Sequence, residues 1–317
     1  MDIPAPALSS ELLGFAADAR VLILNCDDFG LDEDVNAAVA ECVEQGVASS
    51  CSVMVPAPAA AGALQLLRER PEMPFGVHLT LVCERPRRRW GPVAPRASVP
   101  SLLDEAGELF APTPAGRARL LAGARTEEVE REFRAQIDAV SDAGLHPTHL
   151  DFHCLADAGR DDLLDLTLAL GAEYGLAVRV WLAPGLRTAR LRGLPVVDHG
   201  FLDSFSLPLD DKAAHYARLL AELPPGLSEW AVHPGTGGPD SRATDDGWRV
   251  RRGDYEFLTS PRARELLAEH GITVIDYRPL QALWPGPAQQ AALVTALAAP
   301  GPPIPEPPPN SPAPTSR

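Results

Sequence analysis

The sequence predicts an α/β fold built on a parallel sheet. Apolar runs rich in Val, Ile and Leu alternate with segments of helical periodicity along most of the chain. About seven such strands separated by helices imply parallel pairing through right-handed crossovers. A barrel and an open doubly wound sheet both satisfy this pattern. No GxGxxG or Walker loop follows any strand, which weakens the nucleotide-binding versions of either.

The elements follow in order. VLILNC (21–26) is continuously apolar, as a strand covered on both faces is. Asp32 then reads as an N-cap, with Val35, Ala38, Val39, Cys42 and Val43 at helical spacing and Gly46 as the stop. CSVMV (51–55) is a strand, Ala59 to Arg70 a helix and FGVHLTL (75–81) the third strand. A Pro- and Arg-rich loop runs from Cys83 to about Pro100. Thr126 is read as the cap of an amphipathic helix with Glu127 and Glu128 in its first turn, Val129, Phe133, Ile137 and Val140 as its stripe, and Gly144 as its stop. THLDFH (148–153) is extended, Leu163 to Tyr174 helical, AVRVW (177–181) extended and Leu209 to Leu223 helical. EWAVH (229–233) is a strand, Pro261 to His270 a helix and ITVIDY (272–277) the last strand. Residues 1–19 read as an N-terminal extension and 20–284 as the folded domain. Residues 285–317 read as a Pro-rich disordered tail, too poor in buriable surface to fold.

The net charge of −15 and a sequence pI near 4.9 argue against nucleic acid or an anionic membrane as partner, because both need a basic face. The one basic cluster, Arg85 and Arg87 to Arg89, reads as a solvated loop, with neighbouring Trp90 as a ring that could line a ligand groove. No apolar stretch approaches the roughly 18 residues of a spanning helix, and the N-terminus does not resemble a signal peptide. The five cysteines are odd in number and lack CxxC spacing, so they read as reduced thiols of a cytoplasmic protein.

The position of the polar residues is the informative feature. Asp27 and Asp28 follow VLILNC, His78 lies in FGVHLTL, His149, Asp151 and His153 share one face of THLDFH, and His233 ends EWAVH. In parallel α/β folds the C-terminal ends of strands build the active site, and buried carboxylates and imidazoles are costly unless paired or bound to metal. Each has a plainer reading alone. An Asp-Asp pair before Phe-Gly also makes a strand-to-turn junction, a strand histidine is often a core residue, and His233 before Pro-Gly could be a loop residue. Their joint arrival at strand ends favours one site. Adjacent Asp27 and Asp28 cannot share a face unless the strand has ended, which suggests one carboxylate for a metal and its neighbour for the water beside it. An Asp/His/His set suits Zn, Mn or Co, and Mg through carboxylate and water.

NCDDFGLDEDVNAAVAECVEQGVASSCSVMV resembles the N-terminal signature of YdjC-like carbohydrate deacetylases, the chitooligosaccharide deacetylase family. GVHLTLVCERP, VPSLLDEAGEL, THLDFH, VHPG and DYEFLTSPRARELLAEHGITVIDY follow in the family's order, over residues 20 to 280. The resemblance implies a distorted (β/α) barrel of about seven parallel strands, related to polysaccharide deacetylases. It implies one divalent ion, Mg2+ or Zn2+, held by Asp28, His78 and His153, with Asp27 as base and His233 as acid. It places His149, Asp151 and Arg179 in substrate-binding or supporting positions. The partner it implies is a small saccharide, and a homodimer is left open. One segment departs: the family reads HxDSHxHxH and this chain HLDFHCLAD, so Phe152 replaces a Ser and two later histidines are missing. The implied reaction is metal-dependent removal of an N-acetyl group from an amino sugar. Beside it stand a barrel that binds carbohydrate without turnover and a metal hydrolase of a non-sugar amide.

Overall fold

The structure is a computed structural model that describes residues 8–83, 89–200 and 202–284. Its strands are β1 (Arg20–Phe29), β2 (Ser50–Val53), β3 (Phe75–Leu79), β4 (His149–Phe152), β5 (Ala177–Val178), β6 (Leu202–Asp203), β7 (Gly226–Val232) and β8 (Ile272–Val274). Every pairing is parallel, in the order β5-β4-β3-β2-β1-β7-β6, with β8 beside the first residues of β1. Among the described residues β5 and β6 do not pair, so the barrel is open there and distorted, as the resemblance implies. β1 is the central strand, and all nine residues after Arg20 are buried, which is why its sequence is apolar without alternation.

Asp32 caps the helix Glu33–Glu44 by accepting the Val35 N–H at 2.8 Å, as its sequence predicts. Thr126 is not a cap: Arg125 precedes the helix Thr126–Asp142, and the Thr126 hydroxyl donates to Asp162 at 2.6 Å instead. β6 and the helices Pro114–Gly123, Ala183–Leu191, Pro239–Thr244 and Trp248–Leu258 occupy stretches to which the sequence pattern assigns no element. Residues 1–7 and 285–317, and with them the expected tail, lie outside the described residues, as do the arginines of 84–88. The N-terminal extension is docked from residue 8 onward, where the N–H groups of Ser9 and Ser10 donate to Asp198 at 2.7 and 3.2 Å. Trp90 is buried and does not face the cavity described below, which removes it as a groove-lining ring. All five cysteines are free thiols, and among the described residues no helix is long and apolar enough to cross a membrane.

Candidate active site

The C-terminal end of β1 answers the question of how two adjacent aspartates can share a site. The β1–β2 register shifts between Cys26 and Phe29, and Asp28 takes a left-handed φ of 67°. This irregularity re-aims the side chains, so Asp27 and Asp28 face the same cavity instead of opposite sides of the sheet.

That cavity, of about 430 Å³, is also lined by His78, His153 and His233, with Phe152, Leu155, Trp181 and Phe205 as apolar walls. Asp28, His78 and His153 offer one ligand atom each within 4.8 Å of one another. Asp28 Oδ1 lies 3.3 Å from His78 Nε2 and 3.0 Å from His153 Nδ1, while its Oδ2 is paired with Arg251 at 2.8 Å. Burial favours the neutral form of Asp28, but Arg251 and the bonds from His153 and His78 hold its carboxyl well below the usual range. The other nitrogen of His78, Nδ1, is held by Asp151 Oδ1 at 2.8 Å, which aims Nε2 at the cluster. A carboxylate behind an imidazole in this way is the usual support of a metal-ligating histidine. Burial opposes charge on His78, but Asp151 and Asp27 outweigh it and push its pKa up to about 10.

Asp27 is gripped by the Arg179 fork, Nη1 to Oδ2 at 2.7 Å and Nη2 to Oδ1 at 2.8 Å, and accepts from Asn25 Nδ2 at 2.7 Å. Arg179 also pairs with Asp151 at 3.0 Å and donates to Glu229 at 2.7 Å. Three buried carboxylates on one guanidinium leave an excess of negative charge. Burial pushes Glu229 up to about 7, although Arg179 and the Tyr277 hydroxyl, which donates to it at 2.5 Å, oppose the rise. His149 is stacked on Tyr277 with ring centroids 3.7 Å apart, and burial pushes its pKa down to about 3. His149, Asp151 and Arg179 are buried behind the cavity and do not line it, which fits support rather than substrate contact. His233 Nδ1 lies 2.9 Å from Ser204 Oγ.

After β4 the chain follows its own course. Cys154, Asp157 and Ala158 all have positive φ, Leu155 faces the cavity, and Asp157 accepts the N–H groups of Trp181 and Leu182 at 3.0 and 3.1 Å. The residues of the HLDFHCLAD departure therefore shape the cavity wall and anchor its Trp181 side. The three converging donors are untouched by it.

The family described as YdjC-like protein matches residues 21–269. The chain belongs to this family. The resemblance drawn from its motifs is thereby borne out. A relative from Thermus thermophilus, named carbohydrate deacetylase, is 37% identical over 83% of this chain and 95% of its own length. Another of that name, from Geobacillus stearothermophilus, is 32% identical over 82% of this chain and 97% of its own. A solved structure from Enterococcus faecalis V583, provisionally described as a cellobiose-phosphate cleavage protein, superposes with a TM-score of 0.71 at 26% identity, covering 83% of this chain and 99% of that one.

Sequence reasoning missed Arg251, Asn25, Ser204, Glu229 and Tyr277. Glu229 carried a signal, since a carboxylate opening the apolar run EWAV demands a partner once buried. Arg251 carried none, lying in WRVRRGDYEF among other arginines.

Proposed function

We propose that this chain hydrolyses the N-acetyl amide of an amino sugar or N-acetylated oligosaccharide, releasing acetate, and that it does so with one divalent ion. The observation that carries the reading is the meeting of Asp28, His78 and His153 beside an Arg179-gripped Asp27 in one cavity, in a chain whose relatives are named carbohydrate deacetylases. One carboxylate oxygen and two imidazole nitrogens fit Zn2+ or Mg2+ in kind and number for a catalytic site with open positions. Asp28, His78 and His153 would hold such an ion, which would supply polarisation of the amide carbonyl and a lowered pKa for water.

The rest falls to the chain's own residues. Asp27 takes a proton from the attacking water as the new C–O bond forms, a role typically worth about 10²–10⁴-fold. Arg179 fixes the orientation of that carboxylate. His233 gives a proton to the sugar nitrogen as the C–N bond breaks and its electron pair stays on nitrogen. The products are acetate and the free amine. Phe152, Leu155, Trp181 and Phe205 exclude water and offer apolar faces to a sugar ring.

The test is acetate release from N-acetylglucosamine and its oligomers by protein loaded with Zn2+ or Mg2+. Full activity in Asp28→Asn would sink the metal assignment. Saccharide binding without turnover would favour a non-catalytic barrel, and turnover of non-sugar amides alone would move the substrate class.

A further inference from the structure

We propose that Ser204 is a positioning residue for His233, whose hydroxyl accepts the Nδ1–H of the imidazole and leaves Nε2 as the nitrogen that gains and gives the proton in the cavity. Ser204 is fully buried, and its Oγ lies 2.9 Å from His233 Nδ1. The fold dictates the meeting. β6 runs parallel to β7 with Asp203 opposite Ala231, so the residues that leave the two strands emerge side by side. Asp203 then accepts the Phe205 N–H at 2.8 Å, closing the tight turn Ser204–Ser206. Phe205 packs edge-on against the His233 ring with centroids 4.7 Å apart, and the His233 backbone N–H donates to Asp254 at 2.8 Å. Among the described residues Nε2 has no hydrogen-bond partner, and His233 lines the cavity.

A carboxylate is the common partner of a catalytic imidazole, and here the nearest one is held off. Asp203 Oδ1 is 3.9 Å from Nδ1 and is committed to the turn. A hydroxyl can accept the Nδ1–H as a carboxylate does, but it adds no negative charge beside the ring. In the reaction the Nε2 proton passes to the leaving nitrogen, and the imidazole left behind is neutral with its proton on Nδ1, still donated to Ser204. The charged and titratable groups around this ring are Asp203, Asp254 with Lys212 at 3.0 Å from it, Arg251 over the Phe205 ring, and Asp27, Asp28, His78, His153 and Arg117 in the same cavity.

The acid role of His233 rests on the deacetylase reading; the Ser204 contact does not, and the test separates them. Long-range ¹H–¹⁵N spectra of the ¹⁵N-labelled full chain, with His233 assigned through His233→Gln, read its neutral tautomer. The expected result is Nδ1–H in the unmodified chain and Nε2–H, the form favoured by free histidine, in Ser204→Ala. With an acetylated sugar that is turned over, kcat in Ser204→Ala falls about tenfold, as the loss of a hydrogen bond to a charged group implies, with KM within about twofold. Ser204→Thr, which keeps the hydroxyl, restores the tautomer and most of kcat. Ser204→Cys replaces the Ala variant if that one does not fold, with the same expected loss. An Nε2–H tautomer in the unmodified chain, or an unchanged tautomer and kcat in Ser204→Ala, overturns the proposal. Absence of acetate release from any sugar by the unmodified chain would overturn the deacetylase reading, while the tautomer still decides the role of Ser204.

Discussion

Arg179 faces Asp27, Asp151 and Glu229 from full burial, so its removal strands negative charge with no water to take it. Breaking a buried pair from one side costs about 3–5 kcal/mol. Arg179→Met should lower stability by that order, read as a shift of the urea midpoint. Arg179→Lys keeps the charge but not the two-pronged grip on Asp27, so it should fold while kcat drops about 10-fold or more. Unchanged kcat in the Lys variant would make the grip purely structural. His149 makes a prediction about pH. Its folded pKa of about 3 lies below the ordinary 6.5 of an unfolded histidine. The unfolded chain therefore takes up a proton that the folded chain refuses, and stability is lost as pH falls from 6.5 toward 3. Unfolding free energies of the native chain should fall about 1.4 kcal/mol per pH unit more steeply than those of His149→Phe across that window. Parallel pH profiles would refute it. Residues at this scale were legible where chemistry singled them out: Asp27, Asp28, His78, His153 and His233 stood against apolar strands. Arg251 and Ser204 reach the site through tertiary placement, which no local pattern encodes.

The strands and helices were legible in proportion to their length. β1 to β4 and β7 have apolar runs long enough to show, and Asp32 announced its helix by cap chemistry. β6 is two residues long and has no period to detect. Pro114–Gly123 did carry a start signal, Thr113 followed by Pro114, with the Thr113 hydroxyl accepting from Gly116 at 3.1 Å. Trp248–Leu258 was hidden by four charged residues among its first seven and by Gly253 in its interior. The pairing of β3 with β4 gives a prediction of its own. A Cβ on Gly76 would lie 2.5 Å from the His149 ring, which is stacked on Tyr277 from its own side. Gly76→Ala should therefore destabilise by about 1–3 kcal/mol. In a double-mutant cycle with His149→Ala the two costs should not add, because the second change removes the obstacle created by the first. Simple additivity would show that the sheet absorbs the methyl group by other means.

At the scale of the whole molecule, the proposed ligands come from three strands that are distant in sequence. Asp28 ends β1, His78 lies in β3 and His153 follows β4, so the set exists only when the barrel is assembled. An ion bound by all three is linked to the folded state and must raise its stability by mass action. At a free concentration about 100 times the dissociation constant the gain is about 2.7 kcal/mol. For a domain of this size, that corresponds to a rise in Tm of roughly 5 °C. Zn2+ added to chelator-treated protein should produce such a rise, and a chelator should reverse it. Asp28→Asn should lose most of the shift, while the reference variant Arg262→Gln, altered on the exposed face of the helix Pro261–Glu269, should keep it. An equal shift in Asp28→Asn would place the stabilising ion elsewhere on an acidic surface of net charge −15. It would do so without reference to activity, so the ligand set stands or falls on its own measurement.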